Sequence, residues 1–162
     1  MERISKQNYY LDIAQTVAER GTCLRKKYGA IIVKNDTIVS TGYVGAPRGR
    51  KNCSDIGRCT RDELNIPRGE RYEMCRSVHA EMNAIISASR EQMLDSDMYL
   101  AGIDAKTGEL VSGACCCMMC KRLVINAGIK RVIVRETKDT FTVYDTNDWI
   151  ENDDSLSGKF GY

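Results

Sequence analysis

The chain contains a single histidine, and the residues around it restrict the fold more than any other feature. His79 opens the stretch HAEMNAIISASR, with Glu81 two residues on, and Cys117-Met-Met-Cys120 opens a second stretch, CMMCKRLVINAG, that ends on a glycine. Ala80, Ala84, Ile85 and Ala88 line one side of the first, so the spacing predicts a helix over 79–90. The second predicts a helix over 117–128 with Gly128 as its C-cap. A strand over 97–101, DMYLA, lies between them. A chain built this way has to bring the starts of two helices to one place if His79 and the cysteine pair are to act together.

The remaining segments agree with a layered arrangement. Tyr10, Leu11, Ala14, Val17 and Ala18 recur on one helical face, which predicts a helix over 4–20 stopped by Gly21. Two β-rich runs, 30–34 and 37–42, flank the turn pair Asn35-Asp36 and predict a hairpin. The first run is apolar nearly throughout, as expected of a strand covered on both faces. Residues 104–109 read as a turn, 129–135 as a strand and 140–144 as a last short strand. Beyond Asp145 the chain is polar, with Trp149 and Ile150 as docking points. Alternating strands and helices imply an α/β fold with helices on both sheet faces, in one domain spanning 1–162. Residues 45–78 interrupt the pattern with both prolines, Cys53, Cys59, Cys75 and many arginines. Such a length is unusual for plain loop, so it reads as an insertion that something must pin, with a short helix near 61–65.

Composition narrows the class. Lys plus Arg is 24 against 22 for Asp plus Glu, a formal charge of +2, which gives no support for a long nucleic-acid track. No apolar run approaches the ~18 residues of a membrane span, and the N-terminal residues lack an apolar signal core, so a cytoplasmic protein is expected. Eight cysteines in a reducing compartment favour metal ligation or thiol chemistry over disulfides.

His79, Cys117 and Cys120 offer one nitrogen and two sulfurs, a donor set that suits a catalytic Zn²⁺ with a fourth position left for water. A helix start favours thiolate over thiol. Zinc brings the pKa of water toward neutrality, and Glu81 is near enough in sequence to reach that water without being a ligand and to carry its proton. Taken singly, a histidine is more often a satisfied polar group and Glu81 an ordinary first-turn charge. Together, HxE at one helix start and CxxC at the next form the pattern of zinc nucleobase deaminases.

On these residues the chain resembles the cytidine and deoxycytidylate (dCMP) deaminase family, most closely its dCMP branch. The matching segments are GTCLRKKYGAIIVKNDTIVSTGYVGAPRG, CRSVHAEMNAI and CCMMCKRLVINAGIKRVIV. The resemblance implies a three-layer fold, a mixed five-stranded sheet with helices on both faces. It implies catalytic zinc on His79, Cys117 and Cys120, with Glu81 as proton shuttle. Asn83 would lie near the substrate sugar, and the backbone at Ala80 would touch the exocyclic amine. The implied reaction is dCMP plus water to dUMP plus ammonia, in a homo-oligomer up to a hexamer, with dCTP and dTTP as effectors. Two positions depart from the family pattern: Cys116 stands where proline usually precedes the first ligand, and Val44 where an asparagine is expected.

Four further thiols, Cys23, Cys53, Cys59 and Cys75, bracket the insertion. Some relatives carry a second, structural zinc on residues resembling Cys23 and Cys53, completed by histidines; with no spare histidine here, Cys59 and Cys75 could close a Cys₄ site. The alternative is four packed thiols. Cys115 and Cys116 read as packed. Arg48, Arg50, Lys51, Arg58, Arg61, Arg68, Arg71 and Arg76 form either a solvated face shared with Asp55, Asp62, Glu63, Glu70 and Glu73, or a phosphate cradle for substrate or effector. Arg25 could reach the same phosphate, and Tyr144 resembles a late family tyrosine near it. Rival readings are deamination of cytidine, cytosine, guanine or tRNA adenosine, a non-catalytic zinc module, and a Cys117–Cys120 dithiol redox protein.

Overall fold

The computed structural model describes residues 1–153. Its element order is α1 (Lys6–Ala18), β1 (Lys26–Lys34), β2 (Thr37–Tyr43), α2 (Cys53–Ile56), α3 (Thr60–Glu63), a 3₁₀ turn (Tyr72–Met74), α4 (Ala80–Ile86), α5 (Arg90–Met93), β3 (Asp97–Asp104), α6 (Met118–Ala127), β4 (Arg131–Arg135), β5 (Phe141–Asp145) and α7 (Thr146–Glu151). The strands form one five-stranded sheet in the order β2-β1-β3-β4-β5. β3 and β4 run parallel, and the other neighbours are antiparallel. The expected mixed sheet is therefore present, and its one parallel pair is the crossover that carries α6.

Alternation along the strands divides the interior into two layers. Ala30, Ile32, Met98, Leu100, Val132 and Val134 face α4 and α6. Ile31, Val33, Tyr99, Ala101 and Ile133 face α1, which covers them with Tyr10, Leu11 and Ala14. The hairpin turns on Asn35 and Asp36, both at positive φ (50° and 59°), as a tight two-residue connection requires. Arg135 is buried at the edge of the α1 layer. It donates to Gln15 Oε1 (2.7 Å), Asn8 O and Lys138 O, and pairs with Asp12 (2.7 Å).

Glycine sets how closely α4 approaches the sheet. A Cβ at Gly42 would strike the α4 backbone at Ala84 N and Ala80 O, so that helix lies directly on β2. Ser40 donates to Ala84 O from the same strand. The helix that carries Glu81 is thereby held in a fixed place over the sheet.

Three elements differ from expectation. The helix predicted over 79–90 breaks at Ser87, and Ser89 caps a separate turn, α5, through a capping box with Gln92. Two capping serines so close together compete with helix continuation. The polar tail contains α7, capped by Asp145, whose Trp149 sits 6.2 Å from the Tyr144 ring. The insertion contains two short helices, of which only Thr60–Glu63 lies near the one expected.

Candidate metal centre

His79 and Cys117 are the N-cap residues of α4 and α6. At both, an extended backbone turns into helix and delivers the side chain to the point where the two helix starts meet. Cys120 lies one turn into α6, where its backbone N–H donates to Cys117 Sγ (3.4 Å). His79 Nδ1 is 3.4 Å from Cys117 Sγ and 3.4 Å from Cys120 Sγ. The three donor atoms lie within 4.8 Å of one another, and among the described residues no other group of three or more histidine, cysteine or acidic side chains does so.

The spacing fits zinc. Arms of about 2.3 Å to sulfur and about 2.0–2.1 Å to nitrogen at a tetrahedral angle place the two ligands about 3.6 Å apart, close to what is observed. Cys117 and Cys120, and not Cys116, form the donor group with His79, so the register chosen from spacing is the one that reaches it. A packed thiol takes the place of the usual proline at the entry to α6.

The electrostatics of the residues favour a soft cation. Burial lowers the His79 pKa, but hydrogen bonds to Cys117 and Cys75 outweigh it and lift the imidazole to about 10. The hydrogen bond with Cys120 draws the Cys117 thiol down to about 4, against burial and with help from His79. That same hydrogen bond, together with burial, pushes Cys120 up, so the pair shares one proton. A divalent cation bound by the three donors would displace protons from them, since ligation needs thiolates and an imidazole nitrogen with a free lone pair.

Glu81 stands beside this group. It is 6% exposed, and Cys120 Sγ donates to its Oε2 at 3.2 Å. Burial raises its pKa and His79 opposes the rise. Burial thus makes this carboxyl a stronger proton acceptor than an exposed glutamate.

A cleft opens over the centre. Its wall includes Ala80, Glu81, Arg25 and Val44, together with Lys26, Tyr28, Arg61, Arg68 and Tyr72. Of the expected substrate residues, Ala80 and Arg25 line it. Asn83 instead donates to Tyr43 O (2.8 Å), and Tyr144 turns toward Cys115 and Trp149. Only Arg61 and Arg68 of the loop arginines reach the cleft wall. Lys26 and Tyr28 escaped sequence reasoning. Both lie on β1, where strand alternation shows which residues share a face but not what that face meets.

The four cysteines expected around the insertion are not drawn into a tight donor group. Cys23 Sγ accepts from Arg25 N (3.4 Å), Cys53 is buried beside Ser77, and Cys75 turns to His79. Cys53 is near enough to feel the charge of Cys75, Cys23 and Cys59, but no three of these sulfurs lie within 4.8 Å of one another.

Sheet order, helix placement and donor set together define a zinc-dependent nucleobase deaminase fold and centre. The cytidine and deoxycytidylate deaminase zinc-binding region matches residues 4–136, and the chain belongs to that family. A deoxycytidylate deaminase of Mycobacterium phage D29 is 34% identical over 82% of this chain and 96% of its own length. One from Schizosaccharomyces pombe is 30% identical over 81% of this chain, and the chain spans only 37% of that protein's length. Among solved structures, a cyanophage S-TIM5 dCMP deaminase in complex with dCMP and dUMP superposes with a TM-score of 0.54 at 22% identity, covering 95% of each chain. A Burkholderia pseudomallei cytidine deaminase superposes at 0.57 with 15% identity, covering 90% of this chain and 95% of its own.

Proposed function

We propose that the protein deaminates dCMP hydrolytically, giving dUMP and ammonia. The observation that carries this reading is the convergence of His79 Nδ1, Cys117 Sγ and Cys120 Sγ next to the buried Glu81 carboxyl. The phage relative named for this activity, matched over nearly its whole length, supports the substrate.

His79, Cys117 and Cys120 would hold the zinc, which when bound supplies Lewis acidity and an acidified water. Glu81 would take one proton from the attacking water and pass it to the ring nitrogen beside the attacked carbon, then take the remaining proton of the added hydroxyl and give it to the departing amine, which leaves as ammonia. Its burial keeps bulk water from competing for the proton. Arg25, Lys26 and Arg68 line the cleft and give it the positive charge that a 5′-phosphate needs. Burial, then repulsion from Arg68 and Arg25, lowers the Lys26 pKa, and an anion placed among the three would relieve that repulsion. Val44 presents a methyl surface where the family pattern expects an asparagine, so sugar contacts fall to other groups.

The test is ammonia release from zinc-loaded protein over a panel of dCMP, CMP, deoxycytidine, cytidine, cytosine and guanine. dCMP should give the highest kcat/KM, with deoxycytidine well below it. Equal rates on deoxycytidine would remove the phosphate from the reading. The same panel with dCTP or dTTP tests effector control. We extend the proposal, on the resemblance, to a cytoplasmic homo-oligomer. Among the described residues no helix is long and apolar enough to cross a membrane.

A further inference from the structure

We infer that Arg61 and Tyr72, both from the insertion, are positioning residues that fix the His79 ring, and that through them the insertion sets metal affinity. The inference rests on His79 being a metal ligand.

The observations form a continuous stack. Arg61 is 7% exposed, a buried cation in the middle of the segment that has to be pinned. Its terminal nitrogen donates to Pro67 O and Glu70 O, both at 2.9 Å, and so closes the loop on itself. Its Nε is buried without a hydrogen-bond partner. The guanidinium carbon lies 4.5 Å from the centroid of the Tyr72 ring, within cation–π range. Tyr72 in turn meets His79 edge to face, with centroids 5.4 Å apart and planes at 82°. Nδ1 of that imidazole faces the two sulfurs at 3.4 Å each. The ring therefore touches both the ligand pair and an aromatic ring that in turn contacts the guanidinium.

A loop closed for stability alone would be served as well by an apolar plug, because a buried charge is costly to desolvate. Arginine supplies what a plug cannot. Its planar cation locks two carbonyls with one end and offers a face to an aromatic ring with the other. Tyr72 follows the clamped segment directly, so closing 61–70 also places its ring. A histidine ligand binds well only when its ring plane and bonding nitrogen are already oriented, and partners outside the ligand set supply that orientation. Here no carboxylate takes that role in the contacts described. The insertion takes it through this side-chain stack, beside the Cys75 thiol that hydrogen-bonds the ring.

The test is cobalt substitution in the full chain. Wild-type protein should give a tetrahedral visible spectrum with a thiolate-to-cobalt band, and chelator competition gives its zinc Kd. Tyr72→Leu should shift the cobalt spectrum and raise the zinc Kd by about 10–100-fold while circular dichroism remains that of the folded chain. Tyr72→Phe keeps the ring and should restore both readings. Should Tyr72→Leu not fold, Arg61→Lys, which keeps the charge but loses the planar face, is expected to show the same spectral shift and weaker binding. A wild-type spectrum and Kd in the folded leucine variant, or in the lysine variant in its place, overturns the positioning role alone. A wild-type protein without the thiolate band overturns it together with the metal reading.

Discussion

Replacing Gly42 with alanine should damage the centre from a distance. The added Cβ would fall on backbone atoms of α4, at Ala84 N and Ala80 O, with Asn83 C at 2.9 Å, and real Cβ contacts essentially never come under 3.0 Å. None of these atoms belongs to a side chain that can swing away, so the helix itself has to rise from β2 by roughly 1 Å, as a rigid backbone-to-backbone clash of this kind requires. That movement stretches the hydrogen bond from Ser40 to Ala84 O and lifts the start of α4, where His79 and Glu81 sit. Overpacking of this kind costs about 1–3 kcal/mol, or about 2–12 °C in thermal midpoint at about 2–4 °C per kcal/mol. A displacement near 1 Å at the reacting groups costs about 10²-fold in rate. Gly45→Ala is the control, since its nearest neighbour is Thr22 Oγ1 at 3.4 Å, and it should change neither quantity appreciably. The assay is ammonia release from dCMP together with a melting curve and zinc content for each variant. If G42A retained activity within twofold and melted with the wild type, the close seating of α4 would not position the centre.

Glu81→Gln should keep its zinc and lose about 10²–10⁴-fold in kcat; a variant that turns over normally would end the proton-shuttle role. Metal analysis of purified protein should return one zinc per chain, removed together with activity by a strong chelator. Two would mean that Cys23, Cys53, Cys59 and Cys75 close on an ion after all. Arg135→Met leaves Asn8 O and Lys138 O without their buried donor, so denaturant unfolding should show a loss of about 1–3 kcal/mol; an unchanged curve would mean that water or another donor replaces it. Lys6 and then Tyr10 hold the Asp36 carboxyl below its ordinary value of 3.8 by hydrogen bonds. A depressed folded pKa stabilises above the unfolded value and fades as pH falls through the folded one. Asp36→Asn should therefore lie below wild type in stability near neutral pH and converge with it in acid, once the pH has fallen through the depressed folded value; parallel curves would refute the assignment.

Much of the molecule is written locally. Periodicity places α1 and the apolar strands, the Asn-Asp pair places the hairpin, and the glycine after α6 places its end at Gly128, which sits at φ 83°. These signals act within one turn of helix or across one tight turn, where nothing distant intervenes. The ligand set was legible for a related reason. Few arrangements other than a metal centre call for a lone histidine with a nearby glutamate and a CxxC pair at two helix starts. What lies beyond that reach came only with the tertiary structure. His79 and Cys117 meet because β3 pairs with β4 in parallel and carries α6 to the side of the sheet where α4 lies, a matter of strand order rather than of any one segment. The same holds for the insertion. Its arginines are indistinguishable along the chain, yet burial selects Arg61 to clamp the loop and turns Cys75 toward His79. Long-range packing, acting on side chains of equal local promise, decided which of them serve the centre.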